Sequence, residues 1–184
     1  VIEELSGGRK HGFALERAVF LTVLHRLFGG GSDRAADRWR EDYAVAGTDG
    51  LDLHHLYRAM AWLGEELPAK EQDGRTPLAP RCLKDVVEER LFDHRRDLLT
   101  RLDLVFMDTT SLYFEGAGGQ TLGRHGYSKD HRPDLRQMIL AVVIDGDGRP
   151  VCSEMWPGNT ADVTTLIPVI ERLRRRFAIA RVCV

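Results

Sequence analysis

"LDLVFMDTTSLYF", Leu102 to Phe114, is the stretch on which the fold turns. Apolar residues run up to Asp108, and Thr109, Thr110 and Ser111 follow at once. A short apolar run closed by polar residues fits a buried strand. The run predicts a strand near 102–108 that ends at Asp108. Two explanations stand for the carboxylate: a residue of the turn that follows, or a catalytic group held at a sheet edge. Taken alone, an acidic residue of this kind is more often the former.

Downstream, "LRQMILAVVIDGDGRPVCSEMWPGN" reads as two strands, near 136–145 and 149–156, around an Asp-Gly hairpin turn. "TADVTTLIPVIERLRRRF" reads as a helix near 161–176, capped at Thr160 or Asp162. Val163, Leu166, Ile167, Val169, Ile170 and Leu173 form its expected inner face. Pro168 is expected in or near its first turns, where a missing N–H is tolerated. "ARVCV" supplies a last strand near 180–184. A hairpin makes strands two and three antiparallel, and a right-handed crossover through the helix brings strand four beside strand one, parallel to it. Parallel neighbours end on the same edge, so a carboxylate just beyond strand four would sit next to Asp108. Paired carboxylates suit Mg²⁺, which takes oxygen ligands.

Upstream the chain reads as helical. Phe13–Phe28 places apolar residues at 20, 23, 24, 27 and 28, the spacing of one helix face. "GGGS" breaks it, and Ser32 or Asp33 caps a second helix through Tyr43. A third starts near Asp52, with Leu53, Leu56, Tyr57, Met60 and Leu63 on one side. "PAKEQDGRTPLAP" is a linker by composition. A fourth helix spans Arg81 to about Leu99, with Leu83, Val86, Val87, Leu91 and Leu98 apolar. The class is α+β or α/β: a helical region over 1–98, a mixed sheet with a crossover helix over 99–184.

The 184 residues are 43% hydrophobic and 29% charged, enough for one sizeable core. The net charge of −2 announces no global basic field, although "RLRRRF" at Arg172–Phe177 is a local one. No apolar run reaches membrane-spanning length. The first ten residues carry no apolar signal segment, so a cytoplasmic location is expected. Cys82, Cys152 and Cys183 are far apart, odd in number and without a C-x-x-C pair, which argues against a disulfide framework or a zinc knuckle. "GAGG" lacks the Lys-Ser/Thr of a phosphate-binding loop, which disfavours nucleotide hydrolysis. His54 and His55 read as packing or surface residues. The chain opens on Val1 and closes inside an apolar run, so the expectation is a piece of a longer protein.

"DTTSLYFE", "GYSKDHRPDLRQ", "GRPVCSEMWPGNTADVTTLIPVIERLRRRF" and "RVCV" together, in this order, resemble the DDE transposases of bacterial insertion sequences. "GLDLHHLYRAMAWLGE" is similar to the region that precedes the catalytic core in those proteins. The resemblance implies an RNase H-like catalytic domain over 99–184, truncated, behind a helical region that binds DNA ends or dimerises. It makes Asp108 the first acidic residue of the triad and a metal ligand, within Asp-x-Thr. The second Asp would follow strand four and the Glu would come much later, so this chain is expected to be inactive alone. The implied reaction is cleavage and strand transfer of DNA with two Mg²⁺ (or Mn²⁺) ions, in a nucleoid-associated homodimer or higher synaptic complex holding transposon ends and target.

Around Asp108, Thr110 and His131 are candidates for site support. Lys129, Arg132, Arg174 and Arg175 are candidates for DNA contact, against the bland readings of a solvated loop and a helix C-terminus that favours cations. Two other functions compete: a non-catalytic DNA-binding or oligomerising fragment, and a phosphohydrolase using Asp108 as nucleophile. Thr110 counts against the phosphohydrolase, because such enzymes usually carry a second Asp two residues on.

Overall fold

The structure is a computed structural model that describes residues 1–76, 79–95, 104–116, 119–127, 131–160, 162–179 and 181–183. Among these residues it is mixed α and β, with six α-helices and one four-stranded sheet. The chain divides into two units, Val1–Glu66 with Cys82–Val87, and Leu67–Arg81 with Glu88–Val184. No helix among the described residues is long and apolar enough to cross a membrane.

The first unit holds α1 (Ile2–Leu5), α2 (Leu15–Phe28), α3 (Asp33–Trp39), α4 (Leu53–Leu63) and the start of α5 (Leu83–Arg95). The Ser32 side chain caps α3 by accepting from the Ala35 N–H at 3.3 Å. That helix stops at Trp39 instead of running to Tyr43, and the Trp39 and Tyr43 rings stack at 4.3 Å. Asp85, in the first turn of α5, is buried and accepts from the Cys82 N–H at 2.9 Å, one half of a capping box.

The buried face of α2 differs from the expected one. Leu15, Ala18, Val19, Leu21, Thr22 and His25 are buried. Phe20, Val23, Leu27 and Phe28, on the expected face, are exposed. This helix is apolar nearly all round, so periodicity alone could not choose a side. The choice falls on small residues that let helices approach: Ala18 on α2 and Ala59 on α4 are both fully buried in one cluster with Leu56 and Trp62. Tyr57 of α4, grouped with Leu53, Leu56, Met60 and Leu63 on one side, is also exposed, as is Leu91 of α5.

The second unit is built on β1 (Leu104–Phe114), β2 (Arg136–Ile144), β3 (Pro150–Pro157) and β4 (Arg181–Cys183), in the order β3-β2-β1-β4. β1–β2 and β2–β3 are antiparallel, and β1–β4 is parallel, as the topological argument required. The Asp145 carboxylate closes the hairpin by accepting from the Asp147 and Arg149 N–H groups at 3.0 and 2.8 Å. α6 (Asp162–Phe177) joins β3 to β4. Its Val169, Leu173 and Phe177 pack into one core with Val105, Met107, Ala141, Val143, Cys152 and Trp156 of the sheet.

Three expectations for this unit need correction. Asp108 does not end strand one. β1 continues to Phe114, because Thr109–Phe114 pair with Arg136–Ala141 of β2. Thr109, Thr110, Tyr113 and Phe114 are β-branched or aromatic residues that fit a pleated surface well. Pro168 sits inside α6, beyond its first turn. An interior proline costs about 3 kcal/mol, which the burial of Val169, Leu173 and Phe177 on the same helix offsets. Ile167, expected inward, is 67% exposed.

An ionic cluster lies in this core. Glu154 of β3 and Arg172 of α6 each have 2% of the side chain exposed and meet at 3.2 Å. Arg176, 3% exposed, reaches Glu154 at 3.1 Å, Glu88 at 3.2 Å and Glu89 at 2.6 Å. Arg81 pairs with Glu89 at 2.8 Å. Glu88 also accepts from the Ser153 N–H at 3.0 Å, which blocks part of the free edge of β3. Three arginines thus face three glutamates.

Candidate functional site

β1 alternates sharply. Val105 and Met107 are buried in the core with α6, while Phe106, Asp108, Thr110 and Leu112 are exposed. Asp108 therefore projects from the sheet face opposite the core. Its register partner on β2 is Val142, and that of Thr110 is Leu140. Phe106, Leu112 and Val142 are also exposed on this face, at 41%, 41% and 38%. Asp108 and Thr110 share this open face with those apolar residues and, toward its ends, with the exposed Arg181 beside Leu104 and Arg136 beside Phe114. One hydrogen bond is recorded on the carboxylate: Asp108 Oδ1 accepts from the Thr109 N–H at 2.8 Å.

The parallel ladder pairs Leu104 with Arg181, Val105 with Val182 and Phe106 with Cys183. Asp108 lies two residues past the last of these pairs. Cys183, opposite Phe106, is exposed. Strand alternation puts every second residue on one face. A strand continuing past Cys183 in this register would thus bring its second further residue beside Asp108, on the same face.

The remaining candidates fall elsewhere. Lys129 lies outside the described residues. His131 is exposed, with a left-handed backbone (φ 56°). Arg132 is engaged within its own loop: its Nε and Nη2 donate to the two oxygens of Asp134, both at 3.0 Å. This fork raises the pKa of Arg132 and lowers that of Asp134. The loop enters the sheet at the Arg136–Phe114 pair. That is roughly 20 Å along β1 from Asp108, at about 3.4 Å per residue. Arg174 and Arg175 are exposed on α6, which packs against the other face of the sheet. Arg175 lies 3.8 Å from Asp73. Asp108 and Thr110 are thus brought together, and the basic candidates are not brought to them.

Sequence reasoning missed the roles of Arg172 and Arg176. "RLRRRF" looks like an exposed basic patch, but 172 and 176 fall on the same helical stripe as 169, 173 and 177. The three-and-four spacing carried that signal.

Among the described residues, Asp52, His54 and His55 form a group whose possible metal-donor atoms lie within 4.8 Å of one another. Their local bonding serves the start of α4 instead. His55 Nδ1 accepts from the Asp52 N–H at 2.9 Å, and its ring stacks on Phe13 at 4.6 Å. An Nδ1 that accepts leaves the proton on Nε2, and a helix N-terminus repels cations. Burial, then the neighbouring His54, lowers the pKa of His55. The unfolded chain therefore takes up this proton first. The stabilisation is present above about pH 6.5 and fades as pH falls through that value toward the lower folded-state pKa. His55→Gln keeps an acceptor at this position without titrating. We expect the melting temperature to fall less between pH 7.5 and pH 5 in that variant than in the parent; equal slopes would refute the role given to His55.

No protein-family model matches the sequence, and no curated protein matches it. Among solved structures, one similar chain is in the Mos1 transposase paired-end complex with left transposon end, at 14% identity and a TM-score of 0.24, covering 86% of this chain and 47% of that one. Another is in a pre-cleavage Mos1 transpososome, at 15% identity and a TM-score of 0.25, covering 88% and 47%. The chain spans about half the length of these proteins. Chains this far apart in TM-score need not share a fold.

Proposed function

We propose that this chain is part of a DDE-type DNA transposase of an insertion sequence, with its second unit forming the first portion of an RNase H-like catalytic domain. The observation that carries this reading is the placement of Asp108: on the open sheet face, just past the parallel β1–β4 pairs. The donor chemistry fits a hard divalent cation, because an exposed carboxylate is an oxygen ligand and Mg²⁺ is held by one or two carboxylates together with substrate phosphates. Mg²⁺ or Mn²⁺ bound there would stabilise charge on phosphoryl oxygens and lower the pKa of bound water. Asp108 holds its carboxylate toward the phosphodiester from a rigid strand, and the Thr109 N–H fixes one of its oxygens. Thr110, on the same face, lines the site.

In this reading further acidic residues complete the ligand set with Asp108. The exposed apolar stripe of α2 favours a further role for the helical unit in self-association. The test is metal-dependent cleavage of the element's DNA ends by the parent protein, with Asp108→Asn as the decisive variant. Covalent phosphate on Asp108 would support the phosphohydrolase reading instead.

A further inference from the structure

A second feature of the sheet unit lies far from Asp108. Tyr127 is 87% exposed, the most exposed of the large hydrophobic side chains of the described residues. Its backbone is firmly held. The Tyr127 carbonyl accepts from Gln137 Nε2 at 2.7 Å, and Gln137 is only 1% exposed. The same amide nitrogen donates to the Gly158 carbonyl at 3.2 Å. Three residues upstream, Arg124 and Gln137 exchange backbone hydrogen bonds at 3.0 and 2.9 Å. Gly126 lies so close to Gly158 that a side chain there would run into the Gly158 carbonyl. The ring is thus displayed on an anchored loop.

Its surroundings are basic. Among the described residues of 124–136, Arg124, Arg132 and Arg136 stand against Asp134, which Arg132 holds. Arg124, His125 and Arg136 are exposed; one guanidinium nitrogen of Arg124 donates to the Gln120 and Gly123 carbonyls at 3.1 and 3.0 Å. An exposed ring among cations, on a backbone already ordered, is what a stacking platform for single-stranded nucleic acid requires.

We propose that Tyr127 stacks on an unpaired base of a DNA strand, with Arg124 and Arg136 meeting the neighbouring phosphates. This rests on the reading of the chain as a DNA-binding protein. The site is separate from Asp108. Gln137, which holds Tyr127, pairs with Tyr113, and that position is roughly 17 Å of strand from Asp108. Stacking needs a base face free of its duplex neighbours, so the ligand is single-stranded or locally unpaired DNA. It needs no hydroxyl, so phenylalanine should serve as well as tyrosine.

The experiment measures fluorescence anisotropy of a labelled oligothymidylate and of a labelled duplex, titrated at low ionic strength with the 184-residue chain and its variants. Tyr127→Ala should weaken single-strand binding by about tenfold. Tyr127→Phe should bind as the parent does, and duplex binding should be the same for all three. Single-strand binding by Tyr127→Ala equal to that of the parent overturns the stacking role and leaves the DNA-binding reading standing. An equal loss on duplex and single strand overturns the preference for an unpaired base. A parent chain that binds neither DNA overturns the DNA-binding reading and this inference with it.

Discussion

Glu154→Ala is expected to destabilise the sheet unit by about 3–5 kcal/mol, the range for removing one partner of a buried ion pair. Glu154 is 2% exposed; Arg176 donates to its carboxylate at 3.1 Å, and Arg172 forms an ion pair with it at 3.2 Å. The guanidiniums cannot leave with it. Val169, Leu173 and Phe177 fix the inward stripe of α6, so Arg172 and Arg176 stay buried. Arg176 retains Glu88 and Glu89, and Arg172 loses the ion pair recorded for it. Hydrogen exchange of β2 and β3 amides under native conditions reads the loss directly. Glu171, one residue before Arg172 but exposed, is the control; Glu171→Ala should shift stability by no more than about 0.5 kcal/mol. A similar small effect for Glu154→Ala would mean that the cluster is not the anchor of α6 on the sheet.

The second large effect concerns chemistry. On the proposed function, Asp108→Asn in the full-length protein should reduce DNA cleavage by about a hundred- to a thousandfold, the loss seen when one electrostatic stabiliser of a transition state is removed. Asparagine has nearly the same shape and stays neutral, so it keeps the strand and removes the charge. Asp108 is exposed, and its strand is held by β2 through both flanking residues. The variant should therefore fold and bind DNA as the parent does. Cleavage within tenfold of the parent would remove Asp108 from the active site.

The sheet was more legible in the sequence than the helices. Strands one to four and the crossover helix were readable because turns and caps punctuate them: Asp145–Gly148 in the hairpin, and Pro157–Thr160 before α6. The connection order then left few topologies, and the parallel β1–β4 pair followed. The end of β1 was not readable, since Thr109, Thr110 and Ser111 look like a turn until Arg136–Ala141 are known to lie alongside. Pairing across the sheet is a non-local fact. The inner faces of α2 and α4 were misjudged at Phe20 and Tyr57, because each helix offers apolar residues on more than one side. Of the candidate site, Asp108 and Thr110 were legible as residue types, but the open face they share follows only from the β1–β2 pairing. The basic candidates Arg132, Arg174 and Arg175 are distributed by the fold to a loop where Arg132 pairs with Asp134 and to the opposite layer.

The most direct test of the metal-ligand assignment replaces Asp108 by cysteine in the parent protein. A thiolate is a soft ligand that serves Mg²⁺ poorly and Mn²⁺ better. Asp108→Cys should lose DNA cleavage in Mg²⁺ and regain a measurable part of it in Mn²⁺, whereas Asp108→Ala should stay inactive in both. Cleavage by Asp108→Cys that is undiminished in Mg²⁺, or absent in both metals while DNA binding is intact, would contradict the assignment.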